Sequence, residues 1–260
     1  MILDIAIELN YEITAATDLI LQIELPDLAD QTLRSDVMDL SDTLQMAEIP
    51  GEDGFGKRRL IRAERDLVCT YQARVEVRRP ALDIAALPAT PPHRLPAAAI
   101  RHLMPSRYCQ SDQLQNFVAA EFGGTVGGAR IAAMRDWIFE RYAYAPGASN
   151  AGTTAIDTFA QRRGVCRDFA HVLVTLARAS AIPARFVSVY APFVEPQDFH
   201  AVAEVFLDGA WHLVDATGMA AANQIARVGV GADAAEVPFL AAFGPVVLQP
   251  QSVRVDVVSS

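Results

Sequence analysis

Five prolines between residues 80 and 96 divide the chain into two stretches with different sequence patterns: Pro80, Pro88, Pro91, Pro92 and Pro96. Because proline fixes φ and lacks a backbone donor, this segment is predicted to be extended and poor in regular structure. It predicts a domain boundary. A β domain that includes the proline-rich linker is expected over residues 1–95, and a second domain over residues 96–260.

The stretch before the prolines has the pattern of short strands. β-branched and aromatic residues recur in two runs over residues 11–25, and residues 60–77 alternate as in a half-buried strand pair. The charged interval 49–54, with Pro50, Gly51 and Gly54, is typical of a turn between strands. These features predict a small antiparallel sandwich or sheet.

The stretch after the prolines begins with helical patterns and ends with strands. Apolar residues three and four apart predict helices over 98–103, 111–122, 129–142 and 165–179. Alternating patterns then predict strands over 185–190, 201–207, 211–214 and 246–258. Helices followed by antiparallel strands indicate an α+β fold.

Composition excludes several classes of function. The chain has 22 Lys and Arg against 31 Asp and Glu, a formal charge of -9. Nucleic acids and anionic membrane surfaces are bound by clustered cations, so neither is an expected partner. No apolar run approaches the roughly 18 residues of a membrane helix. Asp4 and Glu8 stand where a secretory signal has basic and then apolar residues, which predicts a cytoplasmic protein.

The cysteines and histidines form no metal or disulfide pattern. Cys69, Cys109 and Cys166 are odd in number and far apart, so neither a disulfide framework nor a metal pair is expected. The histidines at 93, 102 and 212 are isolated. The sequence therefore predicts no metal and no cofactor, and at least one free thiol.

Cys166 is predicted to lie in the first turn of a helix. An apolar stripe at helical spacing runs from Val165 through Phe169 and Val172. At a helix N-terminus the unpaired N–H groups and the dipole stabilise a thiolate. Gly164 would let the chain turn into the helix, and the backbone N–H of Cys166 would be free to bind an oxyanion. Taken alone, Cys166 fits better a small buried apolar side chain, the commonest role of a free cysteine, and the residues downstream change this balance.

A hairpin is predicted to bring His200 and Asp215 together. Residues 199–207 alternate as a strand, and Asp208-Gly209 is a strong two-residue hairpin signal. A two-residue loop pairs Leu207 with Ala210, so that Asp215 is a diagonal neighbour of His200 on the same face of the sheet. A three-residue loop would place Asp215 on the opposite face unless a bulge corrected the register.

Cys166, His200 and Asp215 together fit a nucleophile, a general base and a group that orients the base. Other candidates are weaker. The glycine-containing stretches at 147–151 and 229–234 lack the strand and helix that a nucleophile elbow or a dinucleotide site requires. His171 is expected to make a structural hydrogen bond, and Asp168 to interact with the helix N-terminus. The hydroxyl of Tyr142 or Tyr144 is a candidate hydrogen-bond donor to an oxyanion.

Three short motifs resemble those of bacterial transglutaminase-like proteins, including members with an N-terminal β domain. The motifs are Gly164 to His171, Phe199-His200-Ala201, and Leu213 to Thr217. The resemblance covers residues 99–260 well and the first ninety loosely. Two positions depart from the family pattern: Val202 where an aromatic residue is frequent, and Ala216 where proline is usual. These departures bear on the acceptor side of the site, and so on the substrate.

The resemblance implies a papain-like core with the nucleophile at a helix N-terminus against an antiparallel sheet. It implies a thioester acyl-enzyme formed from a peptide or protein substrate at a peptide or glutamine-type amide. Water or an amine co-substrate would resolve this intermediate, giving hydrolysis or transamidation. The alternative function is a catalytically silent binding or scaffolding module that keeps the fold, and an unreactive Cys166 would favour it.

Overall fold

The computed structural model describes residues 1–41 and 43–258. The first part of the chain forms six strands: β1 Ile2–Ile13, β2 Thr17–Leu21, β3 Gln31–Leu40, β4 Gln45–Pro50, β5 Lys57–Ala63 and β6 Leu67–Val77. In strands β1 and β6 every second residue is buried and the residues between are partly or fully exposed, as expected for a sheet with one face in a core. A short 3-10 turn at Glu52–Gly54 connects β4 and β5, which confirms the predicted turn.

The second part begins with helices and continues with strands. The helices are α1 Ala97–Ile100, α2 Gln115–Phe122, α3 Gly127–Arg141, α4 Ala155–Gln161 and α5 Cys166–Ala179, with the short strands β7 Ala143–Tyr144 and β8 Arg163–Gly164 between them. The remaining strands are β9 Ala184–Tyr190, β10 His200–Leu207, β11 Ala210–Val214, β12 Ala226–Gly231, β13 Leu240–Ala242, β14 Val246–Leu248 and β15 Ser252–Val258. The predicted α+β class is confirmed.

The strands form three antiparallel sheets. Two pack face to face as a sandwich: β1, β3 and β6 with β14 and β15, and β2, β4 and β5 with β13. The third has the order β11-β10-β9-β12 and carries α5 on one face. The short strands β7 and β8 pair parallel to one another. Helix α5 lies between this third sheet and the other helices, and its residues are buried from Asp168 to Arg178.

Both ends of the chain build the sandwich. Strand β15 pairs with β1 over seven residues, from Ile2 opposite Val258 to Glu8 opposite Ser252. Strand β13 pairs with β2. The predicted second domain, residues 96–260, thus contains three strands that hydrogen-bond to the sheets of the first. The boundary at residue 95 stays a prediction as a division into folding units.

The proline-rich segment packs against the second half of the chain. Short 3-10 turns occur at Ile84–Ala86 and Pro92–Arg94, and Ala89 bridges to Leu207 of β10. Ile84 is buried in the core that surrounds α5. A Cβ on Gly128 would lie 1.7 Å from the carbonyl oxygen of Ile84, so only glycine permits this approach of α3. The segment is irregular, as predicted, and Ile84 anchors it to the core.

Hydrogen bonds attach the sandwich to the third sheet. The side chain of Gln31 bonds both backbone groups of Arg227, accepting from its N–H at 2.7 Å and donating to its carbonyl at 3.0 Å. Tyr190 of β9 donates its hydroxyl to the carbonyl of Ile23 at 2.7 Å. Apolar residues of β9 and β12 also join the sandwich core. The sandwich core therefore extends onto β9 and β12 of the third sheet.

A buried carboxylate lies at the same junction. Glu204 of β10 is fully buried and accepts hydrogen bonds from Arg185 at 2.8 Å and from Arg227 at 2.8 Å. Although burial raises its pKa, the two guanidinium groups outweigh burial and hold the pKa of Glu204 below its usual range. The charge of Glu204 is thus retained inside the protein because two cations balance it.

Replacing Glu204 with alanine should lower the free energy of unfolding by about 3 kcal/mol, because two buried guanidinium groups lose a shared partner. The exposed pair Asp18–Arg62 offers a matched control, and Asp18→Ala should change stability by less than about 1 kcal/mol. Urea unfolding of both variants measures the difference. Equal losses in the two variants would contradict the structural importance of Glu204.

Candidate active site

Cys166 is the first residue of α5, as the sequence predicts. Its side chain is half-buried, and Val165 precedes the helix in an extended conformation. The thiol lies 4.0 Å from the carbonyl oxygen of Phe199, the residue before His200. The nucleophile candidate is therefore at a helix N-terminus, facing the start of β10.

Asp168 and Gly164 shape the entry to α5. Asp168 is buried, and its Oδ2 accepts from the backbone N–H of Val165 at 2.8 Å, while Arg167 donates to its Oδ1. Asp168 thus caps the helix, in agreement with its expected role. A Cβ on Gly164 would lie 2.7 Å from Oδ2 of Asp168, so glycine is needed here because the capping side chain comes so close.

His200 and Asp215 form a buried hydrogen bond. Nε2 of His200 donates to Oδ2 of Asp215 at 3.0 Å, and both side chains are almost completely buried. The pairing of Leu207 with Ala210 and of Ala203 with Val214 confirms the register predicted from the two-residue loop. Asp208 and Gly209 have φ values of 48° and 76°, as a type I′ turn requires.

Further donors hold Asp215 in place. Thr217 donates to Oδ1 twice, from its N–H at 2.8 Å and from its hydroxyl at 2.7 Å, and the N–H of Ala220 donates to Oδ2 at 2.9 Å. Sequence reasoning missed this role of Thr217. The signal was available, because a carboxylate two residues before a threonine is a common local hydrogen-bonding pattern.

The pKa of His200 is raised and that of Asp215 is lowered. Burial lowers the pKa of His200, but the hydrogen bond to Asp215 and the charges of Cys166 and Asp215 outweigh it and raise the pKa from 6.5 to about 10. Burial likewise raises the pKa of Asp215, yet hydrogen bonds from His200 and Thr217 hold it below its ordinary value. The imidazolium form of His200 is therefore stabilised beside an ionised carboxylate.

The remaining ring nitrogen of His200 is available for chemistry. Nδ1 is buried and has no hydrogen-bond partner among the residues that the structure describes. Because Nε2 is engaged by Asp215, Nδ1 is the nitrogen left to exchange a proton with the neighbouring thiol of Cys166. The three residues predicted as a triad are thus brought together in one site.

Of the two tyrosines considered for an oxyanion, Tyr144 lies at the site and Tyr142 does not. The hydroxyl of Tyr144 interacts with the backbone N–H and the side chain of Cys166, and burial followed by the charge of Cys166 raises its pKa to about 12. Tyr144 thus keeps its proton and can donate it in a hydrogen bond. The hydroxyl of Tyr142 instead accepts from Arg162 at 3.2 Å.

An apolar cleft of about 320 Å³ opens beside Cys166 and His200. Phe186, Phe199, Val237, Phe239 and Leu240 contribute apolar side chains to its walls, and Arg167 contributes a charge. The rings of Phe199 and Phe239 pack with their centroids 4.0 Å apart. The wall at 237–240 was missed by sequence reasoning, since only the tertiary fold brings this segment to the site.

Hydrogen bonds fix the segment that leads into this wall. His171 accepts from the N–H of Ala234 at 3.2 Å and stacks on Tyr108, whose N–H donates to Asp233 at 2.8 Å. Burial lowers the pKa of His171 to about 4, so its imidazole is neutral and can accept at neutral pH. The structural role expected for His171 agrees with this geometry. Its partner lies in the glycine-containing stretch that does not form a nucleotide site.

The other polar candidates lie away from the cleft. His102 is buried against Asp53 at 3.2 Å, and burial lowers its pKa to about 4. Cys69 and Cys109 are buried, which raises the pKa of each thiol to about 12. Within residues 1–41 and 43–258, no three His, Cys, Asp or Glu side chains are grouped to hold a metal ion. No helix in the same ranges is long and apolar enough to cross a membrane.

Comparison with known proteins identifies the family of the chain. Residues 116–216 match the family model described as the transglutaminase-like superfamily. A Cytophaga hutchinsonii crystal structure, described as that of a "putative cysteine protease", is 30% identical and superposes with a TM-score of 0.94, covering 100% of this chain and 91% of its own. The chain belongs to the transglutaminase-like superfamily.

Two further relatives match less of the chain. An uncharacterized protein of Mycobacterium leprae is 32% identical over 118 residues, and the match spans 42% of this chain and 42% of that protein. The periplasmic domain of TgpA from Pseudomonas aeruginosa is 18% identical and covers 81% of this chain and 75% of its own, with a TM-score of 0.45. The second similarity is too low to carry an argument.

Replacing Asp215 with asparagine should lower the pKa of His200 from about 10, because the imidazolium loses the adjacent negative charge. NMR titration of the histidine ring signals measures this pKa directly. Asp198→Asn removes the same charge from an exposed position near the cleft and should leave the His200 titration unchanged. An identical His200 titration in wild type and Asp215→Asn would contradict the assigned interaction.

The contribution of His200 to stability should decrease at alkaline pH. Because its folded-state pKa is raised from 6.5 to about 10, the native protein binds the proton more tightly than the unfolded chain. The resulting stabilisation is complete below pH 6.5 and is lost as pH rises towards 10. The difference in unfolding free energy between wild type and His200→Gln should therefore shrink across that range. Urea unfolding at several pH values tests this, and a constant difference would contradict it.

Proposed function

We propose that the protein is an acyl-transfer enzyme that uses the thiol of Cys166 to attack peptide or glutamine-type amides. The observation that carries this proposal is the arrangement around His200, which bonds Asp215 through Nε2 and leaves Nδ1 without a partner next to the thiol. A binding module needs no such buried, charge-stabilised imidazole. Family membership and the similarity to the Cytophaga hutchinsonii protein support a cysteine-dependent activity.

In the proposed reaction, Cys166 and His200 react as a thiolate–imidazolium pair, in which the thiol proton resides on Nδ1 of His200, and the thiolate attacks the amide carbonyl. Asp215 stabilises the imidazolium that results. The carbonyl oxygen becomes an oxyanion, for which the backbone N–H of Cys166 and the hydroxyl of Tyr144 are the proposed donors.

When the C–N bond breaks, His200 returns the proton to the leaving amine or ammonia, and a thioester remains on Cys166. Water or a primary amine then attacks the thioester while His200 accepts its proton. The products are the acid or a new amide, and the free thiol is restored. Hydrolysis and transamidation thus use the same residues, and differ in which nucleophile enters the cleft.

The rate of Cys166 alkylation by iodoacetamide tests the activation of the thiol. A thiol of ordinary pKa 8.5 is only about 1% ionised at pH 6.5, so loss of His200 should slow labelling at that pH by up to about 100-fold. His212→Ala on β11 is the matched control and should leave the rate unchanged. Mass spectrometry assigns the label, and Cys69 and Cys109 serve as buried internal references.

If labelling of Cys166 rises only near pH 8.5, or is the same in wild type and His200→Ala, the acyl-transfer proposal is wrong. The protein is then better explained as a binding module. If the thiol is activated, incubation with glutamine-containing peptides and a primary amine separates the two reactions. Incorporation of the amine indicates transamidation, and conversion of glutamine to glutamate indicates hydrolysis. A cytoplasmic location remains a prediction from the sequence.

A further inference from the structure

Strand β13 is the edge strand of its sheet. It pairs on one side with β2, with Leu240 opposite Leu21 and Ala242 opposite Leu19. The N–H of Gln22 donates to the carbonyl of Phe239, and the N–H of Phe243 donates to the carbonyl of Asp18. Because hydrogen-bonded and non-bonded pairs alternate in an antiparallel ladder, Leu240 and Ala242 direct their N–H and C=O groups away from β2.

These four backbone groups have no partner strand in the part of the chain that the structure describes. Such an edge, with polar groups at two alternate residues, matches the hydrogen-bonding pattern of an extended polypeptide. Strand β13 has only three residues. So short an edge pairs poorly with a whole sheet, but it is long enough to bond a peptide. Ala242 is exposed, so its backbone groups are accessible.

The same edge begins in the catalytic cleft. Leu240 is both a wall residue of the cleft beside Cys166 and the first residue of β13. Phe239, one residue earlier, packs against Phe199, which precedes His200. A chain that pairs with Leu240 and Ala242 therefore continues directly into the space next to the thiol.

From this continuity we propose that β13 is the docking edge for an extended polypeptide acyl donor, which adds to the sheet as a further strand. The proposal rests on the proposed function, since it concerns how the donor reaches Cys166. Backbone hydrogen bonds to Leu240 and Ala242 align the donor, and the cleft accepts one of its side chains. Because the walls are mainly Phe186, Phe199, Val237 and Phe239, that side chain is apolar.

The sandwich thereby has a part in substrate recognition. Strand β13 belongs to the same sheet as β2, β4 and β5, so the donor is held by one half of the molecule and cut or transferred by the other. A free amino acid amide or a small amine has no backbone beyond the reacting group to form these bonds. The donor class assigned here is accordingly an oligopeptide or an extended protein segment.

The probe for this proposal is acetyl-Ala-Leu-Ala chloromethyl ketone, which alkylates a thiolate with loss of chloride. Ala242→Pro removes the outward N–H without touching the bonds to β2, since proline is tolerated where its nitrogen faces solvent on an edge strand. Labelling of Cys166 by this peptide should fall about 3- to 10-fold, the usual worth of one hydrogen bond. Ala242→Ser keeps the N–H and should label at the wild-type rate.

Analogues with a single N-methyl group test the same edge from the side of the ligand. Because only every second N–H of a strand faces its neighbour, methylation should slow labelling at one of two adjacent positions and have little effect at the other. In Ala242→Pro the peptide remains a slow label, while iodoacetamide, which needs no strand pairing, should react as in wild type. Urea unfolding checks that the variant is folded.

Two failures are distinguishable. If iodoacetamide finds no activated thiol, the proposed function fails. If the thiol is activated but the peptide labels wild type and Ala242→Pro equally, or both N-methyl analogues label alike, docking at β13 is overturned. A change in oligomeric state of Ala242→Pro by light scattering would also overturn it, since the edge would then pair with a second copy of the chain.

Discussion

The two-residue turn at Asp208 and Gly209 determines the geometry of the site. Both residues have positive φ, which sets the twist of the hairpin and pairs Leu207 with Ala210. A shift of one residue would turn every side chain of β11 to the opposite face. Asp215 would then no longer contact His200, and the imidazole would lose the negative charge that raises its pKa. The site thus depends on a turn that contains none of Cys166, His200 and Asp215.

A second constraint is the way in which the sandwich and the third sheet are joined. Gln31 bonds the backbone of Arg227 as a neighbouring strand would, and the guanidinium of Arg227 also donates to Asp30 at 2.5 Å. Asp30 and Gln31 belong to the first half of the chain and Arg227 to β12, so these bonds hold the sandwich against the third sheet. The cleft beside Cys166 takes walls from β9 and from the segment at the start of β13, so its shape depends on how the two sheets are joined.

Local sequence signals predicted the parts of the site that depend on local structure. Cys166 at the start of α5 follows from an apolar stripe, and the pairing of β10 with β11 follows from Asp208-Gly209. The wall at Val237 to Leu240 could not be predicted, because it comes from a distant segment whose position is set by His171 and Asp233. Pairing of β15 with β1 was missed for the same reason: alternation identifies a strand but not its partner.

The pairing of β15 with β1 also bears on how the protein is made. Strand β1 emerges from the ribosome long before β15, yet the two lie side by side in one sheet. Contacts between such distant residues are slow to form because a long loop must close. Until residue 258 has been synthesised, one edge of β1 has no strand beside it, and unpaired edges are prone to aggregate. Completion of the first sheet therefore waits for β15, and a shorter nascent chain carries this open edge until then.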